Sequence, residues 1–216
     1  MRVIIMKKTK MKITKITPQK KRKNRYNIFV NDEFFEGLDE NTVAIHTLYE
    51  GKILKEEELE KIRKTEIREK LHDRIINLIS KFPKTEYELK NYIKRKGYSD
   101  AIAEEEIVRL KKYDLINDRK YAIRYIESNR KYSIRMLKKK LYKKGIDNKI
   151  IEEILKKPEI RKKEKEILKK NARKKLRKLK KKEDKKRKLF QYLARKGFDY
   201  DDIYNIIEKF LDSGEL

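Results

Sequence analysis

Apolar positions in the second half of the chain recur in a fixed relation to three glycines. Leucine or isoleucine stands eight and four residues before each of Gly97, Gly145 and Gly197, and an aromatic or aliphatic residue follows each glycine. The glycines lie 48 and 52 residues apart. A period of about 50 residues is typical of arrays built from one supersecondary unit. The pattern therefore predicts three copies of one helical unit.

Each copy is predicted to form a helix, a tight glycine turn and a second helix. Apolar residues four positions apart share one helix face. The glycine adopts the left-handed conformation that ends a helix, and the apolar residue after it is the usual companion of a Schellman cap. Ser99, Asp147 and Asp199 stand where they would cap the next helix. The buried positions expected on that next helix are Ala103 and Ile107, Ile151 and Leu155, and Ile203 and Ile207.

A preceding helix completes each unit. The first extends over residues 56–81, and Thr85 with Glu88 forms a capping box before the helix that follows it. The second begins after Asp118, and the third begins near Pro158, a residue suited to the first helical turn. The expected apolar stripes are Ile67, Leu71, Ile75, Leu78 and Ile79; then Tyr121, Ala122, Tyr125 and Ile126; then Ile160, Ile167, Leu168, Ala172, Leu176 and Leu179. The predicted three-helix repeats are residues 55–114, 115–157 and 158–216.

The chain before the repeats has the pattern of a small β-unit. Residues 13–16 and 26–30 are rich in strand-forming side chains, and a turn signal precedes a further apolar segment at 33–35. Asp39 is a candidate N-cap for a helix that would end at Gly51. We therefore predict two or three short strands packed on that helix. The predicted boundaries are residues 1–10 for a flexible extension and residues 11–54 for this unit.

The composition suits narrow apolar stripes on helices better than one deep core. Hydrophobic residues make up 38% of the chain and charged residues 46%. The formal net charge is +27, and its self-repulsion favours an extended monomer over a compact or self-associated molecule. We therefore expect a mainly α fold, with three tandem three-helix repeats in an elongated array that follows the small β-unit and its helix.

The sequence contains none of the patterns that a membrane span, a disulfide or an active site requires. No apolar run reaches the roughly 20 residues that span a membrane, and cysteine is absent. Both features favour a cytoplasmic protein without membrane contact. His46 and His72 have no partner at metal-ligand spacing, and no phosphate-binding glycine loop or serine triad is present. We therefore predict a protein that is not an enzyme and that holds neither metal nor cofactor.

Positive charge is the feature most directly related to function. Residues 156–188 alone contain 20 Lys and Arg against five Asp and Glu. Cations before a helix-ending glycine stabilise the helix dipole, but they could equally form a basic ridge that binds a polyanion or an acidic protein. Tyr132 and Tyr142 are the tyrosines expected to be exposed. The candidate partner-binding residues are Arg95, Lys96, Arg130, Arg135, Lys139, Lys143, Lys144, Arg173, Arg177, Arg195 and Lys196, with Gly97, Gly145 and Gly197 as turn residues.

These motifs resemble a known family. The stretch from Leu110 to Ala122, LKKYDLINDRKYA, resembles the "leucine, tyrosine-isoleucine-aspartate-aspartate, alanine" run of RecX, the bacterial regulator of the RecA recombinase. The three Leu-x3-Leu-x3-Gly segments and the order of the N-terminal strands and helix are similar to RecX as well. The resemblance extends over residues 11–211, and the order and spacing of the motifs carry it.

The resemblance implies a fold, a partner and a function. It implies tandem three-helix modules in a curved, elongated molecule that lies in the groove of the RecA–DNA filament. The implied partners are the RecA recombinase and its nucleoprotein filament, whose ATPase and strand exchange the protein would restrain during recombination, DNA repair and the SOS response. No catalytic residues are carried over. The unusually Lys-rich third unit and a longer N-terminal extension depart from the family and leave direct contact with DNA open.

Two other functions stay open on the sequence alone. The first is a general DNA- or RNA-binding helical repeat protein that acts without a recombinase. The second is a scaffold whose charge only maintains solubility. Binding to bare DNA with a steep salt dependence separates the first from the second, because displaced counterions accompany each phosphate contact.

Overall fold

The computed structural model of the chain describes residues 10–20, 22–179 and 184–214. The chain divides into two compact units, one that ends at Phe82 and one that begins at Pro83. A sheet and two helices form the first unit, whereas helices form the second. This is the predicted mainly α architecture with a small N-terminal β-unit. The predicted extension over residues 1–10 lies outside the described residues, apart from Lys10.

The first unit contains four antiparallel strands, which are β1 (Met11–Pro18), β2 (Arg25–Val30), β3 (Glu33–Asp39) and β4 (Ile53–Leu54). Their order in the sheet is β3-β2-β1-β4. Ile16 lies opposite Ile28, and Tyr26 lies opposite Leu38. The sequence pattern predicted the first three strands but missed β4, because a two-residue strand shows no alternation and exists only through its pairing with β1.

Helix α1 (Glu40–Ile45) begins where the sequence predicts, since the Asp39 carboxylate accepts a hydrogen bond from the Asn41 N–H at 2.9 Å. The predicted end at Gly51 was wrong. The helix ends at Ile45, and Thr47 takes the left-handed conformation with a φ of 47°. Gly51 lies instead in the turn before β4, with a φ of 97°.

Helix α2 (Glu56–Lys81) covers the sheet with its first half. Leu59 and Ile62 join the strand residues Ile13, Ile28 and Leu38 in one apolar cluster. Burial of such side chains stabilises the unit by about 1.5–3 kcal/mol each. The strands also contact α1, as predicted, but their packing on α2 was not foreseen. The sequence pattern grouped α2 with the first repeat, whereas the division into compact units leaves it with the sheet.

The buried face of α2 differs from the predicted stripe at one position. Ile67 is 43% exposed, whereas Glu66 beside it is fully buried. Glu66 accepts hydrogen bonds from Arg25 Nη2 at 2.7 Å, from the Asp39 N–H at 2.7 Å and from Thr42 Oγ1 at 3.0 Å. These donors compensate for the burial of a carboxylate. The rest of the stripe is as predicted, with Leu71 and Ile75 buried and Leu78 and Ile79 partly buried.

The second unit begins with the glycine-turn pair of the first repeat and continues with two complete three-helix repeats. The pair is α3 (Glu86–Arg95) and α4 (Asp100–Lys112). The second repeat is α5 (Asp118–Ser128), α6 (Ile134–Lys143) and α7 (Asn148–Leu155). The third is α8 (Pro158–Leu176), α9 (Lys185–Arg195) and α10 (Tyr200–Asp212).

The helix caps of the repeats follow the sequence prediction. Thr85 and Glu88 form the capping box of α3. The side chain of Ser99 accepts a hydrogen bond from the Ile102 N–H, and Asp147 and Asp199 cap α7 and α10 in the same way. These caps satisfy backbone donors that a helix start leaves without partners. The local sequence therefore decides where each of these helices begins.

The apolar positions spaced around each glycine are buried, as predicted, except that Tyr98 after Gly97 is only partly buried. In the second repeat Ala122, Leu141, Ile146, Ile151 and Leu155 form one cluster. In the third repeat the equivalent cluster contains the following residues: Leu168, Ala172, Leu176, Leu189, Leu193, Phe198, Ile203, Ile207 and Phe210. The second and third repeats therefore each have a core of their own, which α5 and α8 help to close.

Candidate partner-binding surface

Consecutive repeats of the second unit meet where the glycine turn of one repeat contacts a helix start in the repeat before it. The Lys144 carbonyl accepts a hydrogen bond from Oγ1 of Thr85, the N-cap of α3, at 2.7 Å. The Lys196 carbonyl accepts one from the N–H of Ser133, the N-cap of α6, at 3.1 Å. The two junctions are equivalent, because Thr85 and Ser133 each stand 12 residues before the glycine of their own repeat.

At these junctions glycine is needed both for the left-handed backbone conformation and for the close packing of the two repeats. Gly145 has a φ of 76° and Gly197 a φ of 85°. A Cβ at Gly145 would lie 2.2 Å from Cβ of Tyr87, and one at Gly197 would lie 2.9 Å from Cβ of Met136. Gly97 also has a φ of 85°, but a Cβ there would meet no atom within 4 Å. All three glycines therefore occupy left-handed turns, and two of them also permit contact between repeats.

At the first junction a carboxylate and two tyrosine rings compensate the positive charge of Lys144. Its Nζ donates to Oε1 of Glu88 at 2.8 Å and lies over the rings of Tyr121 and Tyr125, at 5.3 and 5.8 Å from their centroids. Burial opposes the charged ammonium, but hydrogen bonds to Glu88 and Tyr121 outweigh it and raise the pKa of Lys144. On the same helix α3, Lys90 contacts Glu86 at 3.0 Å.

Lys196 occupies the equivalent place at the second junction in a different environment. Its Nζ lies over Tyr132 and Tyr192, at 5.2 and 5.1 Å from the ring centroids. Met136 stands at the position that Glu88 holds in the repeat before, nine residues ahead of the glycine. Within the described ranges no carboxylate forms an ion pair with Lys196. Burial lowers the pKa of Lys196, and the ammoniums of Lys131 and Lys174 lower it further.

Further lysines converge on the same two tyrosines. Lys131 and Lys140 lie over Tyr132, at 5.3 and 4.7 Å from its centroid. Lys175 lies over Tyr192 at 5.4 Å. In the part of the chain that the structure describes, none of these lysines has an ion-pair partner. We call the following residues the lysine cluster: Lys131, Lys140, Lys174, Lys175 and Lys196.

Positive charge continues along α8 from Lys174. A shallow cavity of about 510 Å³ is lined by cations on one side of this helix, with a single carboxylate, Glu166, at its edge. Residues three and four positions apart share a helix face, so the cations form a stripe along the axis. The cations that line it are Lys169, Lys170, Arg173, Lys174 and Arg177.

A groove with an apolar floor lies between α5, α6, α7 and α8. Its volume is about 180 Å³, and Arg130, Lys157 and Lys163 line it together with Glu127 and Glu164. The apolar lining consists of Ile123, Ile126, Tyr132, Ile134, Leu137, Ile154, Ile160 and Ile167. Arg130, a candidate partner-binding residue of the sequence analysis, therefore lies beside an apolar surface.

The comparison with known proteins identifies the family. The family model of the regulatory protein RecX N-terminal domain matches residues 11–55, and the models of the first and third RecX three-helix domains match residues 72–110 and 163–207. A regulatory protein RecX from Clostridioides difficile is 33% identical over 210 residues, which cover 94% of this chain and 97% of the relative. The chain belongs to the RecX family. The relative from Clostridium acetobutylicum is 32% identical over 204 residues, covering 91% of this chain and 95% of its own.

Solved RecX structures have the same fold. A crystal structure of regulatory protein RecX superposes with a TM-score of 0.75 at 25% identity, covering 92% of this chain and 99% of that one. The crystal structure of RecX from Lactobacillus salivarius superposes with a TM-score of 0.57 at 28% identity, covering 66% of this chain and 95% of that one. The resemblance to RecX that the sequence motifs suggested is therefore confirmed, as is the predicted fold.

The described residues of this RecX-family chain contain no cluster of metal-ligating side chains. No group of three His, Asp or Glu side chains there could hold a metal ion. Nε2 of His46 is hydrogen bonded to Oγ1 of Thr65 at 2.8 Å, and burial together with the Lys52 charge lowers the pKa of this histidine. No helix in the described ranges is long and apolar enough to cross a membrane. The relatives are named as regulatory proteins.

The candidate cations of the sequence analysis fall into different environments. Tyr142 is 68% exposed, as expected, but Tyr132 is partly buried under lysines. Sequence reasoning missed Lys131, Lys140, Lys174 and Lys175 as neighbours of Lys196. The change from Glu88 to Met136 at equivalent repeat positions is the signal that could have found the difference. The following candidates are exposed: Arg95, Lys96, Arg130, Arg135, Lys139, Lys143, Arg173, Arg177 and Arg195.

Proposed function

We propose that this RecX-family protein binds the RecA recombinase or its DNA filament and lowers the filament's ATPase and strand-exchange activity. The observation that carries the proposal is family membership from the β-unit to the third repeat, with relatives named as regulatory proteins. The sequence resemblance implies RecA as the regulated partner. Tandem repeats suit such a target, because many weak contacts along a filament act together as multivalent binding.

The exposed cations of the second unit support a target that carries phosphate or carboxylate groups. The second unit exposes Arg135, Lys139 and Lys143 on one face of α6, at spacings of four residues. In the part of the chain that the structure describes, these three cations form no ion pair. Exposed cations that lack internal partners are available for phosphate or carboxylate groups. They therefore form a second candidate contact beside the lysine cluster.

The test is the single-stranded-DNA-dependent ATPase of the cognate RecA, titrated with this protein at fixed moderate salt. We expect the rate to fall when the protein is far below stoichiometric with nucleotides, because restraint of filament growth acts on many RecA subunits at once. An unchanged rate at a stoichiometric excess of the protein contradicts the proposal.

Charge-removal variants locate the contact. We expect Arg135→Gln, Lys139→Gln and Lys143→Gln, combined in one variant, to raise the concentration for half-inhibition roughly tenfold, since three exposed ionic contacts are lost. The matched control removes three exposed cations of α2, namely Lys61, Lys64 and Arg74. Equal effects of the two variants would mean that net charge alone matters and that α6 makes no specific contact.

A second candidate function is binding of nucleic acid without a recombinase, and the lysine cluster is the observation that favours it. Under this alternative the ATPase of RecA stays constant while bare DNA binds with an affinity that falls steeply with salt. The two functions are separated by one pair of titrations, with and without RecA, on the same DNA.

A further inference from the structure

The two repeat junctions of the second unit differ in one residue that changes their charge. At the first junction Glu88 neutralises Lys144 through a contact of 2.8 Å. At the second junction Met136 replaces the carboxylate, while Lys196 keeps the place of Lys144 beneath its glycine turn. In both turns the carbonyl of the lysine accepts a hydrogen bond from an N-cap residue, from the Thr85 hydroxyl at the first junction and from the Ser133 N–H at the second. Neither contact requires the second lysine to lack a carboxylate partner. The difference points to a ligand that comes from outside the chain.

The surroundings of Lys196 make an anion the appropriate ligand. Four ammonium groups lie over Tyr132 and Tyr192, those of Lys131, Lys140, Lys175 and Lys196, and the charge of Lys174 acts on Lys196 from nearby. In the described residues none of the five lysines has a carboxylate partner. The faces of the tyrosine rings attract these cations, but a ring quadrupole does not cancel a full charge. A bound anion would relieve the repulsion among the ammoniums. The lowered pKa of Lys196 agrees with a site that lacks its counter-charge.

We propose that the lysine cluster is a binding site for the phosphate groups of a nucleic-acid backbone, with Lys196 at its centre. The site goes beyond the regulation of RecA and rests on the second candidate function, to which it assigns the binding residues and the part of the nucleic acid that they contact. The ligand chemistry follows from the donors. Lysine provides compact point charges that suit phosphate, and a surface that gathers several cations attracts polyanions. Each of the five groups of the cluster is a lysine.

The extent of the positive surface favours a polymer over a small anion. Lys174 belongs both to the cluster and to the stripe of cations that runs from Lys169 to Arg177. Eight residue steps of helix span about 12 Å, so the stripe can follow more than one phosphate of a strand. A polyanion gains affinity at each contact by releasing counterions.

The lysines over the tyrosine rings favour contacts with the phosphate backbone over stacking of bases on the rings. Tyr132 carries three ammonium groups, those of Lys131, Lys140 and Lys196, against its ring. A covered ring leaves little surface on which a base could stack. Contacts to phosphate carry no sequence information by themselves. We therefore expect binding that does not depend on base sequence.

The decisive variant restores the missing carboxylate without removing any lysine. In Met136→Glu the new side chain stands where Glu88 stands in the preceding repeat, and we expect it to pair with Lys196 as Glu88 pairs with Lys144. Met136→Gln is the matched control of the same size without charge. Val108→Glu is a second control, because Val108 is 64% exposed on α4 and gives the same change in net charge. Lys196→Gln removes the central charge directly, so the test stands even if the Glu variant fails to fold.

The measurement is fluorescence anisotropy of a labelled single-stranded oligonucleotide with the full chain, over a series of salt concentrations and without RecA. We expect Met136→Glu and Lys196→Gln to weaken binding roughly five- to tenfold at about 50 mM salt and to reduce the slope of log K against log salt by about 0.7, the value for one phosphate contact on a single strand. Met136→Gln and Val108→Glu should bind like the unaltered protein.

Two results would overturn the proposal. The first is binding by folded Met136→Glu and Lys196→Gln that is indistinguishable from binding by Met136→Gln. The second is displacement of the oligonucleotide by poly-glutamate at an equal concentration of charges, which would identify the cluster as a site for acidic peptides. Neither result bears on the RecA ATPase titration, so the phosphate site and the proposed regulation fail or succeed separately.

Discussion

Lys144 Nζ donates a hydrogen bond to Glu88 Oε1 at 2.8 Å and so joins the glycine turn of the second repeat to the start of α3 in the first. Both side chains are 28% exposed, so this pair is better shielded from solvent than most ion pairs of the chain. Glu88 also accepts a hydrogen bond from the Thr85 N–H. One carboxylate therefore holds a helix start and a contact between repeats together.

We expect Glu88→Gln to lower the free energy of unfolding by about 1 kcal/mol, because Lys144 loses a partly buried partner. The capping box accepts Gln as well as Glu, so the loss would report the ion pair and not the cap. Urea unfolding measures it. Lys94→Gln is the control, since it breaks a pair with Asp100 in which both side chains are at least 70% exposed. A loss as large for the control would contradict a special role for the Lys144–Glu88 pair.

Stability should fall in acid partly through the same carboxylate. Burial works to raise the pKa of Glu88, but hydrogen bonds from Lys144 and Thr85 outweigh it and hold the pKa below its usual value of 4.5. A lowered folded-state pKa contributes stability that is present above the unfolded value and lost as pH falls through the folded value.

The corresponding measurement compares the free energy of unfolding at about pH 6 and about pH 3 for the unaltered chain and for Glu88→Gln. We expect a smaller fall in the variant. Burial raises the pKa of Asp118, so this carboxyl group contributes to the change of stability with pH in the opposite direction. It is present in both proteins, and its contribution cancels in the comparison. Identical pH profiles would refute the assignment.

The glycines at equivalent turns should differ in their tolerance of alanine. Gly97→Ala meets open space, so only the left-handed backbone conformation opposes it, at about 1–2 kcal/mol. Gly145→Ala has the same backbone strain and in addition places Cβ 2.2 Å from Cβ of Tyr87. We expect the second substitution to lower the melting temperature clearly more than the first. Equal effects would show that the contact with Tyr87 relaxes freely.

The buried carboxylate of the first unit should be sensitive to substitution. Glu66→Ala leaves Arg25, whose side chain is 11% exposed, without its partner at 2.7 Å. Removal of one member of a buried pair costs about 3–5 kcal/mol, and we expect a loss of that size in urea unfolding of the first unit. Glu60→Gln, which breaks an exposed pair with Arg63 on the same helix, should change stability by less than about 0.5 kcal/mol. Tolerance of Glu66→Ala would show that Arg25 finds water or another partner.

The sequence by itself determined the repeats of this protein. Leu137 and Leu141, Gly145 and Asp147 each specify a local event, namely a buried helix face, a left-handed turn and a helix cap. Such events depend on residues a few positions apart, and the same spacing occurs in all three copies. The β-unit was also visible in outline, because its strands alternate or cluster apolar residues. The resemblance to RecX rests on this same local order.

Tertiary structure alone decided the features that depend on residues far apart in the chain. β4 exists through pairing with β1. Glu66 is buried and Ile67 exposed because Arg25, Asp39 and Thr42 offer hydrogen bonds to the carboxylate. Lys144 and Lys196 have identical local sequence roles, yet a carboxylate of another repeat neutralises one and a methionine faces the other. The aligned repeats show the exchange of Glu88 for Met136, but only the tertiary structure shows that this position lies at the glycine turn of the next repeat. Electrostatic energy depends on distance in space and on solvent exposure, which the exchange by itself does not give.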